Sequence, residues 1–278
     1  MDLPDSLPKT QPAEYLYHYT SIAGISGIVN SRSLWMTEIS YLNDTQEFLY
    51  ALSLFVQAVS KRRGVFKSPN VAIFFQRLFD VFTPSMVRSF CVFSLSQEPD
   101  LLSQWRGYCT QGTGYSVGFK SDLLIPLLEE QELLLAPCVY EPSEQRPLIE
   151  TVLGEIEGNV AVEFVDPTAT LNSSLLAPFE QIAPFIKHPK FNEEKEWRIV
   201  TKDPVGFKKL TYRVGRSMLI PYLDAKIDPA SPDRFPIKRI VVGPSADQGL
   251  AMNSLTGLFA KSGFEVQITP SQIPYRSM

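Results

Sequence analysis

An α+β fold in a single domain is what this sequence predicts, and three observations carry the prediction. Short runs rich in β-branched and aromatic residues alternate with longer stretches whose apolar residues recur at helical spacing. The closing strand, helix and strand over residues 237–268 form a β-α-β unit that favours parallel pairing. No internal repeat, low-complexity tract or linker interrupts the 278 residues, which are enough to bury a substantial core. Residues 1–13, with three prolines, read as a loose leader, and 14–278 as the domain.

Each element follows from its local pattern. Tyr15-Leu-Tyr-His-Tyr-Thr20 has the aromatic, β-branched character of a strand. Thr20 or Ser21 can cap a short helix that places Ile22, Ile25 and Val29 on one face. Ser33–Thr37 reads as the next strand. Asp44 and Glu47 then have capping-box spacing for a helix with Leu52, Phe55, Val56 and Val59 inward, ending at the basic triplet Lys61-Arg62-Arg63. A helix over 71–82 is stopped by Thr83-Pro84. Val87–Leu95 is almost continuously apolar after Arg88, as a strand covered on both faces would be. Asp100–Tyr108 reads as a short helix capped by Asp100 and stopped at Gly107. Gly112–Phe119 is a Gly-rich turn entering a strand; 122–131 reads as helix and Leu133–Tyr140 as strand. Residues 147–186 suggest two helices separated by Asp166-Pro-Thr. Strands follow at 194–201, 208–213, 218–222 and 237–243, then a helix over 246–261 and a last strand over 264–268.

Composition excludes several function classes. A net charge of −4 argues against a general nucleic-acid binder, and the basic pairs Lys208-Lys209 and Lys238-Arg239 are short enough for ordinary solvated surface. Two histidines, His18 and His188, rule out a histidine-rich metal centre. Cys91, Cys109 and Cys138 are widely spaced without a CxxC pair, so no thiolate zinc site or disulfide framework is indicated. There is no transmembrane run, and the acidic, Pro-rich N-terminus lacks the apolar segment of a signal peptide. A reducing cytoplasm without a membrane partner is the expectation. Gly112-Thr-Gly-Tyr-Ser-Val-Gly118 misses the dinucleotide fingerprint, because its third glycine falls one place late and it enters a strand rather than leaving one.

The most informative stretch is Phe191–Val200. Alternation along a strand puts Glu194, Glu196 and Arg198 on one face and Lys195, Trp197 and Ile199 on the other. Taken alone, this is an ordinary half-buried strand with a solvated, self-neutralising charged face. His18, in its aromatic strand, is either a satisfied structural group or a neutral donor and acceptor that orients a polar ligand. Trp105, Arg106 and Tyr108 beside the Gly-rich turn are either core and ion pair or a wall for a phosphate or a base.

Taken together, Tyr17-His-Tyr-Thr-Ser21, Ser40-Tyr-Leu-Asn-Asp44, Leu101-Leu-Ser-Gln-Trp-Arg-Gly-Tyr108, Glu194-Lys-Glu-Trp-Arg198 and Ile273-Pro-Tyr-Arg276 resemble the bacterial domain-of-unknown-function family 2971, in order and over nearly the whole chain. That family name carries no activity. A more distant resemblance is to the ADP-ribosyltransferase fold, with a histidine in an early strand, a tyrosine after a Gly-rich turn and a glutamate opening a late strand. Here these would be His18, Tyr115 and Glu196, and Tyr115 stands one place early for the match. The resemblance implies a central mixed or split β-sheet flanked by helices, no metal, and NAD as substrate. It implies an acceptor that is nucleic acid or protein, in the setting of a toxin, effector or phage-defence component. It makes Glu196, His18 and Glu194 the catalytic candidates. The NAD contacts it implies are His18, Thr20, Tyr41, Trp105, Arg106, Tyr115 and Arg198, with Tyr115 or Tyr41 stacking on nicotinamide and Arg106 or Arg198 at the pyrophosphate. Two other outcomes compatible with this reading are a non-catalytic nucleotide- or protein-binding module and phosphate-removal or nuclease chemistry on RNA.

Overall fold

The structure is a computed structural model and describes residues 7–274 apart from 43–44, 63, 67, 82–89, 110–113, 165–172, 216 and 246. In chain order the elements are β1 (Tyr15–Thr20), α1 (Ile22–Ser31), β2 (Ser33–Glu38), α2 (Thr45–Arg62), α3 (Pro69–Val81), β3 (Cys91–Ser96), α4 (Leu102–Tyr108), β4 (Tyr115–Lys120), α5 (Ser121–Glu129) and β5 (Leu133–Pro137). They continue with α6 (Pro142–Glu163), α7 (Ala177–Ile182), β6 (Glu196–Thr201), β7 (Thr211–Val214), β8 (Leu219–Lys226), β9 (Ile237–Val242), α8 (Gln248–Ser262) and β10 (Gln267–Pro270). Among the described residues they make one mixed sheet of ten strands, ordered β10-β9-β4-β1-β3-β2-β8-β7, with β6 pairing β3 and β5 pairing β6 off that path. The α+β reading therefore holds. The closing β-α-β unit pairs in parallel as its sequence predicts, Ile268 lying opposite Ile240. Its last strand starts later than expected, because Phe264 turns inward and stacks on Phe235 at 3.8 Å.

The sheet is split at β3. One edge of that strand is filled by β6, from Val92 opposite Val200 to Ser96 opposite Glu196. The other edge is shared by two strands that reach it only at its ends. β1 touches it at Tyr17 opposite Ser96, and β2 at Thr37 opposite Val92 and Glu38 opposite Cys91. Between those contacts the β3 edge around Phe93–Leu95 is left without a strand partner, and β1 and β2 diverge around it. A strand edge carries obligatory donors and acceptors, which side chains, water or a ligand must satisfy. His18 supplies part of this, its Nδ1–H donating to the Ser94 carbonyl at 2.9 Å.

Two cores clamp this sheet. Helices α2, α3, α6 and α7 pack on one face around Phe55, Phe74, Ile149 and Phe185, with Val92 and Val200 from the strands. Leu7 of the leader is buried in that core. On the other face, Leu16, Phe93, Trp197 and Ile199 meet residues of α1, α5 and α8. β6 is thus buried along its whole length, and the expected solvated charged face is absent. Glu196 and Arg198 are only 6% and 4% exposed.

Other expectations are also corrected. The central strand begins at Glu196 and not at Glu194, because Pro189–Glu194 is a 3-10 turn and Lys195 takes a left-handed conformation at φ 42°. Asp100 does not cap α4, which begins after Leu101 without a side-chain cap. Its carboxylate instead accepts from Trp105 Nε1 at 2.7 Å, Ser271 Oγ at 2.6 Å and the Gln272 amide at 2.8 Å, tying the C-terminal segment to the sheet. Asp44, Thr83-Pro84, residues 87–89, Gly112, Asp166-Pro-Thr and Tyr275-Arg276 lie outside the described residues. No described helix is long and apolar enough to cross a membrane.

Candidate functional site

The split in the sheet opens into a cleft made of two adjoining cavities. The smaller, of about 30 Å³, is lined by His18, Ser96, Gln104, Tyr108, Glu194 and Glu196, among others. The larger, of about 290 Å³, is lined by residues that include Thr20, Trp35, Tyr41, Lys187, Arg198 and Arg213. His18, Tyr19, Ser94 and Tyr108 border both. The two halves differ in charge: carboxylates line the smaller cavity, whereas cations line the larger, which has no Asp or Glu among its described lining residues.

At the junction of β6 with the turn before it sits a buried ion cluster. Glu196 Oε1 accepts from Arg198 Nε at 2.8 Å, and Oε2 accepts from Arg198 Nη2 at 3.3 Å and from Lys187 Nζ. Lys187 also donates to Glu194, so one ammonium joins both carboxylates. The second arm of Arg198 donates to the Pro184 carbonyl at 2.6 Å. Burial alone would push the Glu196 carboxyl up, but the Arg198 and Lys187 charges outweigh it and hold the group at about 2. The carboxylate is therefore ionised at any physiological pH, and the two cations fix its orientation.

Backbone contacts hold the cluster in place. The Glu196 amide donates to the Tyr140 hydroxyl at 2.9 Å, and the Cys138 amide to the Glu196 carbonyl at 2.9 Å. On α6, the fully buried Gln145 donates from Nε2 to the carbonyls of Val139 and Lys187 at 2.8 and 2.7 Å, while its Oε1 accepts from Tyr50 at 2.9 Å. That amide fastens the Lys187 segment to the end of β5. Because Asn192–Glu194 closes as a 3-10 turn, Glu194 approaches Lys187 from the loop and not along the strand, so the two carboxylates meet through tertiary placement.

His18 is the other fixed point. Its ring stacks on Phe93 with centroids 4.1 Å apart. Burial lowers its pKa to about 4; the bond to Ser94 O works against this and the Arg213 charge adds to it. The ring is neutral near pH 7. Because Nδ1–H is committed to the carbonyl, the neutral tautomer leaves Nε2 as an acceptor.

The structure brings His18, Thr20, Tyr41, Glu194, Glu196 and Arg198 around this cleft. It does not bring Trp105, Arg106 or Tyr115 there. Trp105, 1% exposed, packs edge-on against Tyr19 at 4.8 Å in a small separate core, its indole N–H satisfied by Asp100. Tyr115 is buried in the core on the α1, α5 and α8 face, opposite Thr20 and Val242. Arg106 is exposed and lines neither cavity. Of the expected wall of Trp105, Arg106 and Tyr108, only Tyr108 lines the cleft. Lys187 and Arg213 were not legible as site residues. The one available signal for Lys187 is that two glutamates so close together need a cation. For Arg213 it is a run from 204 to 223 with Lys208, Lys209, Arg213 and Arg216 and no acid. Among the described residues no group of three or more His, Cys, Asp and Glu is placed to hold a metal ion.

No curated protein and no solved structure matches the chain. Residues 104–199, which run from α4 through β4, β5 and α6 to the buried ion cluster of β6, match the family described as "Protein of unknown function (DUF2971)".

Proposed function

We propose that this cleft is the donor site of an NAD-consuming enzyme of the ADP-ribosyltransferase type. The observation that carries the reading is that His18 and Glu196, far apart in the chain, line one cavity where the sheet splits. Cleaving the bond between nicotinamide and ribose develops oxocarbenium-like positive charge on the sugar, as in glycoside cleavage. A carboxylate that is already ionised and held in place stabilises that charge without reorganising as the reaction proceeds. Glu196 has these properties, and its part is to accept ribose hydroxyls beside the breaking bond. Neutral His18 orients a second hydroxyl through Nε2. Tyr41, 40% exposed, and Tyr108, 44% exposed, offer aromatic faces at the cleft for a planar ring. Glu194, tethered through Lys187, is the candidate for activating an acceptor group on nucleic acid or protein.

One observation favours a second reading. Two cations already share the Glu196 carboxylate, which reduces the negative potential it can direct at a substrate. A nucleotide-binding module without turnover is compatible with that arrangement.

The test uses the full chain and NAD labelled in its adenylate half, following nicotinamide release and label transfer. Wild type is expected to release nicotinamide. Glu196→Gln is expected to lower the rate by about a hundredfold or more, and its melting profile shows whether it remains folded. As a second probe, His18→Gln keeps a donor for the Ser94 carbonyl and is expected to raise the KM for NAD about tenfold. NAD that raises Tm without nicotinamide release supports the binding module. Neither release nor stabilisation sinks both readings.

A further inference from the structure

Arg213 has no role in the donor chemistry and yet is one of the best-placed cations in the cleft. It projects from β7 across β8 and donates from Nη2 to Thr37 Oγ1 on β2 at 2.9 Å. Its Nε is buried and has no hydrogen-bond partner among the described residues. Among the described residues no carboxylate pairs with it, whereas Lys187 and Arg198 pair with Glu194 and Glu196. Arg213 thus stands apart from the ion pairs of that cluster. Burial pushes its pKa down, as expected for a guanidinium held without an anion. Such a group costs stability, because a desolvated N–H without an acceptor forfeits its bond to water.

The surroundings share this sign. Among the described residues the wall of the larger cavity carries Lys187, Arg198 and Arg213 and no acid. Helix α1 also begins there: Thr20, Ser21 and Gly24 line the cavity at its N-terminal end, where the helix dipole is positive. Trp35 and Tyr41 add flat apolar surface beside these charges.

We infer that the larger cavity is a phosphate site for a nucleotide, with Arg213 as its anchor and the aromatic residues Trp35 and Tyr41 beside the base or sugar. A planar guanidinium with unspent N–H groups matches two phosphate oxygens in a bidentate way that a lysine cannot. Arg213 thus takes the phosphate role that the sequence offered to Arg106 or Arg198. The inference rests on the cleft of the proposed enzyme being a ligand site, but it does not require turnover.

Isothermal titration of the full chain with inorganic pyrophosphate, ADP and adenosine tests it. Pyrophosphate and ADP are expected to bind, with adenosine at least about tenfold weaker and affinity falling as salt rises. Arg213→Gln is expected to raise the Kd of both anions about 10- to 100-fold, and Arg213→Lys to fall between, since it keeps the charge and loses the fork. A second readout separates ligand binding from folding: without ligand, Arg213→Gln should melt close to wild type, because it gives up the bond to Thr37 Oγ1 together with a half-buried charge that no described carboxylate pairs. The inference is overturned if neither anion binds, if Arg213→Gln binds them as wild type does, or if the ligand-free variant loses several degrees of Tm. NAD cleavage with no Arg213-dependent anion binding would leave the donor reading standing and remove this one. Arg213-dependent binding with no NAD cleavage would do the reverse.

Discussion

Replacing Glu196 by Gln keeps the shape of the side chain and removes its charge from between Arg198 and Lys187. The cost follows from the structure. The carboxyl is held at about 2 against an ordinary 4.5, and at about 1.4 kcal/mol for each tenfold change in proton affinity this amounts to ~3 kcal/mol. That agrees with the roughly 3–5 kcal/mol lost when one partner of a buried ion pair is removed. Since the folded pKa is depressed, the stabilisation is fully present above pH 4.5 and lost as pH falls through about 2. Lys187→Met leaves Glu196 paired with Arg198 and is expected to cost less, about 1–3 kcal/mol. Once the charge of Glu196 is gone, Lys187 has less to hold, so the two losses should not add. A coupling on the order of 1–2 kcal/mol is expected in the double variant. Urea unfolding of the four proteins at pH 7, repeated at falling pH while wild type stays folded, gives every term. If Glu196→Gln lies within about 0.5 kcal/mol of wild type at pH 7, or the gap does not narrow below pH 4.5, the carboxylate is not stabilised by these cations and the account of its ionisation fails.

His18 should titrate at about 4 in the folded chain, against 6.5 when unfolded. The unfolded state then binds the extra proton between those values, so stability falls as pH drops from 6.5 to 4, by ~3 kcal/mol in all; NMR of the ring checks the pKa, and a midpoint near 6.5 would show that it is open to water. Gly114→Ala would bring a Cβ to 2.1 Å from Cys109 Sγ and 3.0 Å from the Thr20 carbonyl, so a loss of about 1–3 kcal/mol by overpacking is expected in urea unfolding. Unchanged stability would mean that this turn can shift freely. Gln145→Leu strands the Lys187 carbonyl, leaves Val139 O with only the Lys187 amide and takes the acceptor from the Tyr50 hydroxyl, and should cost about 1–3 kcal/mol. A loss below 0.5 kcal/mol would remove the claim that this amide fastens the Lys187 segment.

The layers of the fold were legible because their periodicity is local. β1, β2 and β9 declare themselves by β-branched and aromatic runs, and β10 was found in its parallel unit although three residues late. What periodicity could not report is which charges the tertiary fold would bury. Glu196 and Arg198 alternate as a solvated face does, and only the helices packed on β6 make that face interior, with Lys187 arriving from another segment as counter-ion. Glu194 looked like a strand neighbour of Glu196 because its spacing is right; the left-handed backbone at Lys195 is a local exception to strand geometry. Trp105 and Tyr115 show a second limit. An aromatic residue beside a Gly-rich turn has the same sequence signature whether it faces core or cleft, and here both face core. Arg213 was invisible for the opposite reason: an arginine in a short edge strand looks solvated, and its reach across β8 to Thr37 is a property of the sheet order.

If Glu196 and His18 form the proposed donor site for NAD, the intact wild-type chain releases nicotinamide, and folded Glu196→Gln releases it about a hundredfold or more slowly. Release at the same rate from that variant, or none from wild type at saturating NAD, would contradict the proposal.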